Sequence, residues 1–197
     1  MLSIRNLSGN RIGPIDLKLA GGDVAAISGP SGAGKSLFLR AIADLDPNDG
    51  NVLLDGDDRA GIPAPEWRRR VSYVAAETGW WAERVGDHFQ DKRAAIQMLE
   101  LIGLGESALD WSIPRLSTGE KQRLGLARSM IGKPRVLLLD EPTSALDTDN
   151  RNLIEHLLDE CRSAGTSIII VTHDVEQAER LKARTYRLEA GKLQAAP

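Results

Sequence analysis

"DVAAISGPSGAGKSLFLRAIADL", residues 23 to 45, decides the architecture of this chain. The run Val24 to Ser28 is short, apolar and bounded by glycines, the pattern of a buried strand. From Lys35 to Ala43 the residues Phe38, Leu39 and Ile42 recur at helical spacing. Between strand and helix, Gly29-Pro30-Ser31-Gly32-Ala33-Gly34-Lys35-Ser36 matches G-x-x-x-x-G-K-[ST]. Such a loop curls backbone N–H groups round a phosphate, and the helix N-terminus adds the positive end of its dipole. Lys35 is placed to reach the terminal phosphates and the Ser36 hydroxyl to ligate Mg²⁺. A glycine-rich turn with an incidental lysine has no need of these flanking elements, so the phosphate reading is preferred.

Working outward, short apolar runs recur at "VSYV" (71 to 74), "RVLLLD" (135 to 140), "SIIIVT" (167 to 172) and "TYRLEAG" near the end. Segments of helical spacing separate them: Thr118 to Ile131, Asp149 to Ala164 and Val175 to Leu181. Continuous apolar strands alternating with helices predict an α/β fold with a mostly parallel core sheet covered on both faces. "SIRNL", "PIDLKLA" and "NVLLDG" are instead short and alternating, and predict an N-terminal antiparallel β layer. Residues 78 to 116 hold helical periodicity in "DKRAAIQMLELIGL" but no good strand, so a helical subdomain is expected there, within one domain spanning 1 to 197 whose core is 1 to 77 and 117 to 197.

Charge excludes more than it identifies. Lys and Arg number 25 against 28 Asp and Glu, so no overall basic field exists to hold nucleic acid or an anionic membrane. Cys161 is the only cysteine, which rules out an internal disulfide and fits a reducing cytosol. The opening "MLSIRNLSGN" has no basic region followed by an apolar run, and no stretch nears the ~18 apolar residues of a membrane span. Any membrane role is therefore expected to come through a partner.

A phosphate loop needs a second metal carboxylate at the end of a neighbouring strand. "RVLLLDE" ends in Asp140, placed to hold Mg²⁺, and Glu141, placed to orient and deprotonate a water. His173 follows "SIIIVT" and so lies at a strand end in the same crevice, although alone it reads equally as a half-buried histidine before a helix. "LSTGEKQRLGLAR", Leu116 to Arg128, reads locally as a capping box: Ser117 caps a helix and Glu120 reaches back to it.

The order of "GPSGAGKS", "LSTGEKQRLGLAR", "VLLLDEPTSALD" and "VTHD" resembles the nucleotide-binding domain of ABC ATPases, over nearly the whole chain. The resemblance implies a P-loop NTPase that binds ATP with Mg²⁺. Gly29 to Ser36 and the adjoining Leu37 are similar to Walker A, Asp140 to the Walker B metal residue and Glu141 to the catalytic base. Leu116 to Glu120, with Ser117, Thr118, Gly119 and Glu120 on the nucleotide, resemble the signature motif, Ser144 to Asp147 the D-loop and His173 the switch histidine. It further implies a second ABC ATPase subunit packed head to tail, because the signature helix is a phosphate site the chain's own P-loop does not need.

Departures from the family pattern carry expectations of their own. The first aromatic residue is Phe38, inside the first helix, so base stacking passes to an aliphatic contact, with Ile12 as candidate, and preference for adenine weakens. Leu37 removes a hydroxyl phosphate contact, and Thr118 replaces a smaller signature residue. In "YVAAETGWW", Tyr73 to Trp81, Ala76 stands where the family has a glutamine, with Glu77 next. Adjacent rings rarely bury together, so one of Trp80 and Trp81 is expected in the core and the other exposed as an anchor for a partner.

The reading that follows is an ATPase subunit that powers transport by separate transmembrane subunits, docked through Glu77 to Trp81 on the inner face of the cell membrane. The alternative is a soluble ABC ATPase acting on nucleic acid or translation machinery, and its best support is the basic cluster "WRRR", Trp67 to Arg70, itself read as the solvated end of a segment leading into "VSYV". Direct nucleic-acid binding is not expected. A nucleotide kinase leaves the signature helix unexplained.

Overall fold

The computed structural model describes residues 1–196. In chain order the elements are β1 (Leu2–Gly9), β2 (Ile12–Leu19), β3 (Val24–Ser28), α1 (Lys35–Ile42), β4 (Asn48–Leu54), β5 (Asp57–Asp58), α2 (Ala64–Arg70) and β6 (Val71–Val74). Then come α3 (Lys92–Leu101), α4 (Thr118–Ile131), β7 (Val136–Asp140), α5 (Thr148–Ser163), β8 (Ser167–Val171), α6 (Val175–Arg180), β9 (Arg184–Glu189) and β10 (Lys192–Ala195). A six-stranded sheet runs β10-β9-β3-β8-β7-β6, parallel except for β10 on β9, and a four-stranded antiparallel sheet runs β2-β1-β4-β5. This is the expected P-loop NTPase fold.

Strand parity divides the interior in two. Val24, Ala26, Val74, Leu137, Leu139, Ile168 and Ile170 face α4, α5 and the 78–116 segment. Ala25, Ile27, Val71, Val136, Leu138, Ile169 and Val171 face α1 and the antiparallel sheet. Every residue of β7 and β8 is buried, as a central parallel strand covered on both faces must be. The 78–116 segment contains α3 and three short 3₁₀ turns, and its Val85, Ala95, Leu99 and Ile113 join the first cluster.

"WRRR" ends the short helix α2, which leads into β6 as expected, but Trp67 is not at the solvated end: it is fully buried and its indole N–H donates to the Ile42 carbonyl at 2.9 Å. A ring packed under α1 outweighs the solvation of the arginines that follow it. Arg68 donates to the Asp44 carbonyl and Arg70 pairs with Glu66 and Asp57, so only Arg69 is exposed and unengaged.

Candidate functional site: a phosphate loop and three strand ends

β3, β8, β7 and β6 are consecutive neighbours, and their C-terminal ends open on one crevice. From β3 the chain passes directly into the loop Gly29–Gly34. Gly29 has φ 144, and a Cβ there would lie 2.1 Å from the Leu188 carbonyl of β9, so only glycine fits. Gly34 caps α1 at φ 100, and its Cβ would meet Ile12 Cγ2 at 2.6 Å. Ile12 is thus a wall of the P-loop, 6% exposed, with little face left for a base. Beside α1 a cavity of ≈ 530 Å³ is lined by Asn10, Ile12, Leu37, Arg40, Ala41 and Pro47.

Lys35 is 8% exposed, and its ammonium donates to the Gly29 and Pro30 carbonyls at 2.8 and 3.1 Å. These bonds satisfy a buried cation with the loop's own dipoles and can be exchanged for phosphate oxygens of greater charge. Ser36 and Ser31 are exposed.

Asp140 ends β7 on the face turned to α1 and is 6% exposed. Tyr73, on β6 and paired in register with Leu138, donates its hydroxyl to Asp140 Oδ2 at 3.3 Å. Burial, and then the Asp140 charge, push the Tyr73 phenol well above its ordinary range, which keeps it a donor. Glu141 follows at φ 49, a left-handed conformation that a non-glycine residue adopts only when held. Its N–H donates to the Val171 carbonyl at 3.0 Å, while its own carbonyl accepts from Gln122 Nε2 at 2.7 Å and Ser144 Oγ at 3.1 Å. This fixation turns the carboxylate into the crevice, where Oε1 lies 3.3 Å from His173 Nε2. The two strand-end residues named from sequence therefore meet.

Around His173, α6 is set by Asp174, whose carboxylate accepts from the Gln177 N–H at 3.0 Å. Gln177 is fully buried and donates to Thr143 Oγ1 at 2.8 Å and to Glu155 Oε1 at 3.1 Å. The histidine is thereby tied to the segment that follows Glu141.

The capping box at α4 is complete. The Ser117 N–H and hydroxyl both donate to Glu120 Oε2 at 2.8 Å, and the Glu120 N–H donates back to Ser117 Oγ at 3.3 Å. Gly119 packs on the next loop, its ideal Cβ 3.0 Å from the Ala145 carbonyl. Ser117, Thr118, Gly119, Glu120, Arg123 and Asp147 line a cavity of ≈ 330 Å³. The helix end is far along the chain from the P-loop and presents its own donors.

Sequence reasoning missed how α4 is fastened. Gln122 is 3% exposed and bonds Glu141, Ser144 and Ala145, joining α4 to the end of β7 and the loop that follows it. Its register with Leu126 and Met130 at i, i+4, i+8 was the available cue that this amide points inward. On another face Gly125 leaves room for Thr78, whose Cγ2 would lie 2.2 Å from a Cβ at 125 and whose hydroxyl donates to the Lys121 carbonyl at 3.2 Å. Arg128 donates twice to the Gly79 carbonyl and lies 4.9 and 4.7 Å from the Trp80 and Trp81 ring centroids. Both rings meet His88 edge-on, at 4.9 and 4.4 Å. Burial depresses the Arg128 and His88 pKa values.

Trp80 packs against the core and Trp81 is 71% exposed, the division expected of the pair. Ala76 and Glu77 are both exposed, and Glu77 forms no ion pair among the described residues.

The donor set fits Mg²⁺ brought in with a nucleotide. Ser36 and Asp140 offer hard oxygens, and among the described residues no group of three or more His, Cys, Asp or Glu forms a metal cage. Mg²⁺ characteristically takes one or two protein ligands and completes its shell with phosphate oxygens and water.

A strand, phosphate loop and helix, with carboxylates and a histidine on adjacent strand ends, define a P-loop nucleotide site. The family described as ABC transporter matches residues 12–144. The chain is 38% identical over 192 residues to "Fe(3+) ions import ATP-binding protein FbpC" of Mesorhizobium japonicum, across 90% of this chain and 53% of that protein. It therefore spans about half the length of that relative. It is 34% identical to "Probable iron export ATP-binding protein FetA" of Escherichia coli K12, across 92% of this chain and 87% of the relative. Among solved structures, the dimeric post-hydrolysis state of the ATP-binding cassette MJ0796 bound to ADP and Pi superposes with a TM-score of 0.86 at 23% identity, across 99% of this chain and 98% of the other, a likeness of fold. The chain belongs to the ABC transporter family.

Proposed function

We propose that the chain binds and hydrolyses ATP and that two such domains, packed head to tail, power transport by separate membrane subunits. The observation that carries the hydrolytic reading is the Glu141–His173 contact of 3.3 Å beside the Asp140 strand end. Glu141 is the group to orient and deprotonate an attacking water, with its backbone held so that the carboxylate does not reorganise. His173, 59% exposed at its side chain, donates toward the terminal phosphate, and Lys35 leaves its loop carbonyls for the phosphate oxygens. Ser36 and Asp140 hold Mg²⁺, which when bound neutralises charge on the phosphate oxygens. Gly29 to Gly34, with Pro30, Ser31, Gly32 and Ala33 between, cradle the phosphates, and Leu37 borders the nucleoside side.

A helix N-terminus whose Thr118 and Gly119 N–H groups have no partner among the described residues supports sharing of the site, since the P-loop already has its own helix in α1. Ser117 and Glu120 then act on the partner domain's nucleotide. Docking of the membrane subunits is assigned to Glu77–Trp81, with the exposed Trp81 ring as anchor. No described helix is long and apolar enough to cross a membrane, so placement on the inner face of the cell membrane comes through that partner. The nucleic-acid alternative is disfavoured because "WRRR" is spent on Trp67 burial and on Asp44, Asp57 and Glu66. Import or export, and the cargo, belong to the membrane subunits.

Glu141→Gln tests the reading. The variant is expected to keep ATP binding, lose turnover by about 10²-fold or more, and accumulate as an ATP-bound dimer in size-exclusion chromatography. Turnover equal to the parent's would exclude Glu141 as the base.

A further inference from the structure

Asp140 is 6% exposed yet forms no ion pair among the described residues, and one side-chain donor reaches it, the Tyr73 hydroxyl at 3.3 Å on Oδ2. A buried carboxylate left with a single neutral donor takes its orientation from that donor. The contact is built into the sheet. Tyr73 pairs with Leu138 in the parallel β6–β7 ladder, and Asp140, two residues beyond Leu138, lies on the same face. The ring packs with the α1-side cluster, which fixes where its hydroxyl ends.

We infer that Tyr73 is a positioning residue for the metal: by holding Asp140 Oδ2 it presents the other carboxylate oxygen, Oδ1, to a divalent cation arriving with the nucleotide. The inference rests on the assignment of Asp140 to Mg²⁺ above. It separates two contributions to nucleotide affinity. The P-loop acts on the phosphates with or without metal, whereas Tyr73 acts only on the increment that Mg²⁺ adds. It also gives β6, the sheet edge that leads into Ala76, a chemical role in the site.

Calorimetric titration of the full chain with ADP, in Mg²⁺ and in EDTA, reads that increment without turnover. For Tyr73→Phe, which keeps the ring, affinity in EDTA is expected to match the parent's, while the Mg²⁺ enhancement falls about three- to tenfold, the worth of one hydrogen bond. In an Asp140→Asn background the same substitution is expected to change the enhancement less than about twofold, since coupled residues are not additive. An unchanged enhancement in Tyr73→Phe, or equal losses in EDTA and Mg²⁺, would overturn the inference; the second result would mean that Tyr73 acts through packing on α1. If the Phe variant does not fold, Tyr73→Met, which also lacks the hydroxyl, takes its place in the same titrations and is judged by the same two outcomes. Absence of any Mg²⁺ enhancement in the parent would instead remove the Asp140 assignment, and the inference with it.

Discussion

Gly125→Ala pits two effects of known sign against each other. Mid-helix glycine normally costs about 1 kcal/mol relative to alanine, so an unobstructed change would stabilise α4. Here the new Cβ would lie 2.2 Å from Thr78 Cγ2 and 3.2 Å from Thr78 Cβ. Carbon atoms rest at about 3.5–4.0 Å, so the Thr78 methyl must retreat by well over an ångström. It cannot do so freely, because its hydroxyl is bound to the Lys121 carbonyl and the next residue to Arg128. Overpacking of this kind costs about 1–3 kcal/mol, towards the upper end for so close an approach. The net expectation is a loss of about 1–2 kcal/mol, measured by urea unfolding with unchanged m-value. Adding Thr78→Ser removes the clashing methyl while keeping the hydroxyl, leaves a 3.2 Å contact that a few tenths of an ångström relieves, and should recover most of the loss. If Gly125→Ala alone stabilised the protein by about 1 kcal/mol, Thr78 would not be seated on α4 and the link between this loop and that helix would be wrong.

His88 has its pKa depressed chiefly by burial, which outweighs the upward effect of its hydrogen bond to the Ala82 carbonyl; Arg128 adds a smaller downward effect and Asp87 a smaller upward one. Its contribution to stability is therefore present above the unfolded-state pKa of about 6.5 and is lost as pH falls below it; His88→Gln should flatten thermal stability between neutral and mildly acidic pH, and an unaltered slope would refute this. With Ile12 turned into the P-loop and no ring on the nucleoside side, ATP, GTP and inosine triphosphate should bind within about tenfold of one another, or about 1.4 kcal/mol, in competition titrations; a much larger preference for ATP would show that a base-reading contact exists. Ala76→Gln should raise partner-stimulated ATPase if the absent amide weakens coupling, and no change would show that the exposed Ala76 position is silent.

The central strands, α1, α4 and the crevice residues were legible because each is encoded locally. A continuous apolar run becomes β7 or β8, and a cap followed by Glu three residues later becomes the start of α4. The short pieces were not legible. β5 has two residues and α2 seven, below the length at which periodicity speaks. Trp67 looked solvated because its neighbours are arginines, and only the fold brings Ile42 to its indole. The same holds for Thr78 and Gly125, Tyr73 and Asp140, and Gln122 and Glu141, each pair separated by many residues and joined by one contact. Glu141 was identified as a carboxylate in the right place; its left-handed backbone, which aims it, follows from bonds to α4 that no local pattern encodes.

The tryptophans also make the chain its own optical reporter. Trp67 is sealed, so its emission is insensitive to events at the surface, while Trp111 is half-buried beside Leu116 and Glu120 and reports on that end of α4 instead. Trp81 is mostly in water, and Trp80 and Trp81 share an imidazole and a guanidinium at under 5 Å. A blue shift of emission on adding a partner that covers the Glu77–Trp81 segment is expected to originate at Trp81, and Trp81→Phe distinguishes it from any response of Trp111. Docking could then be followed in unlabelled protein, in real time, alongside turnover at the opposite end of α4.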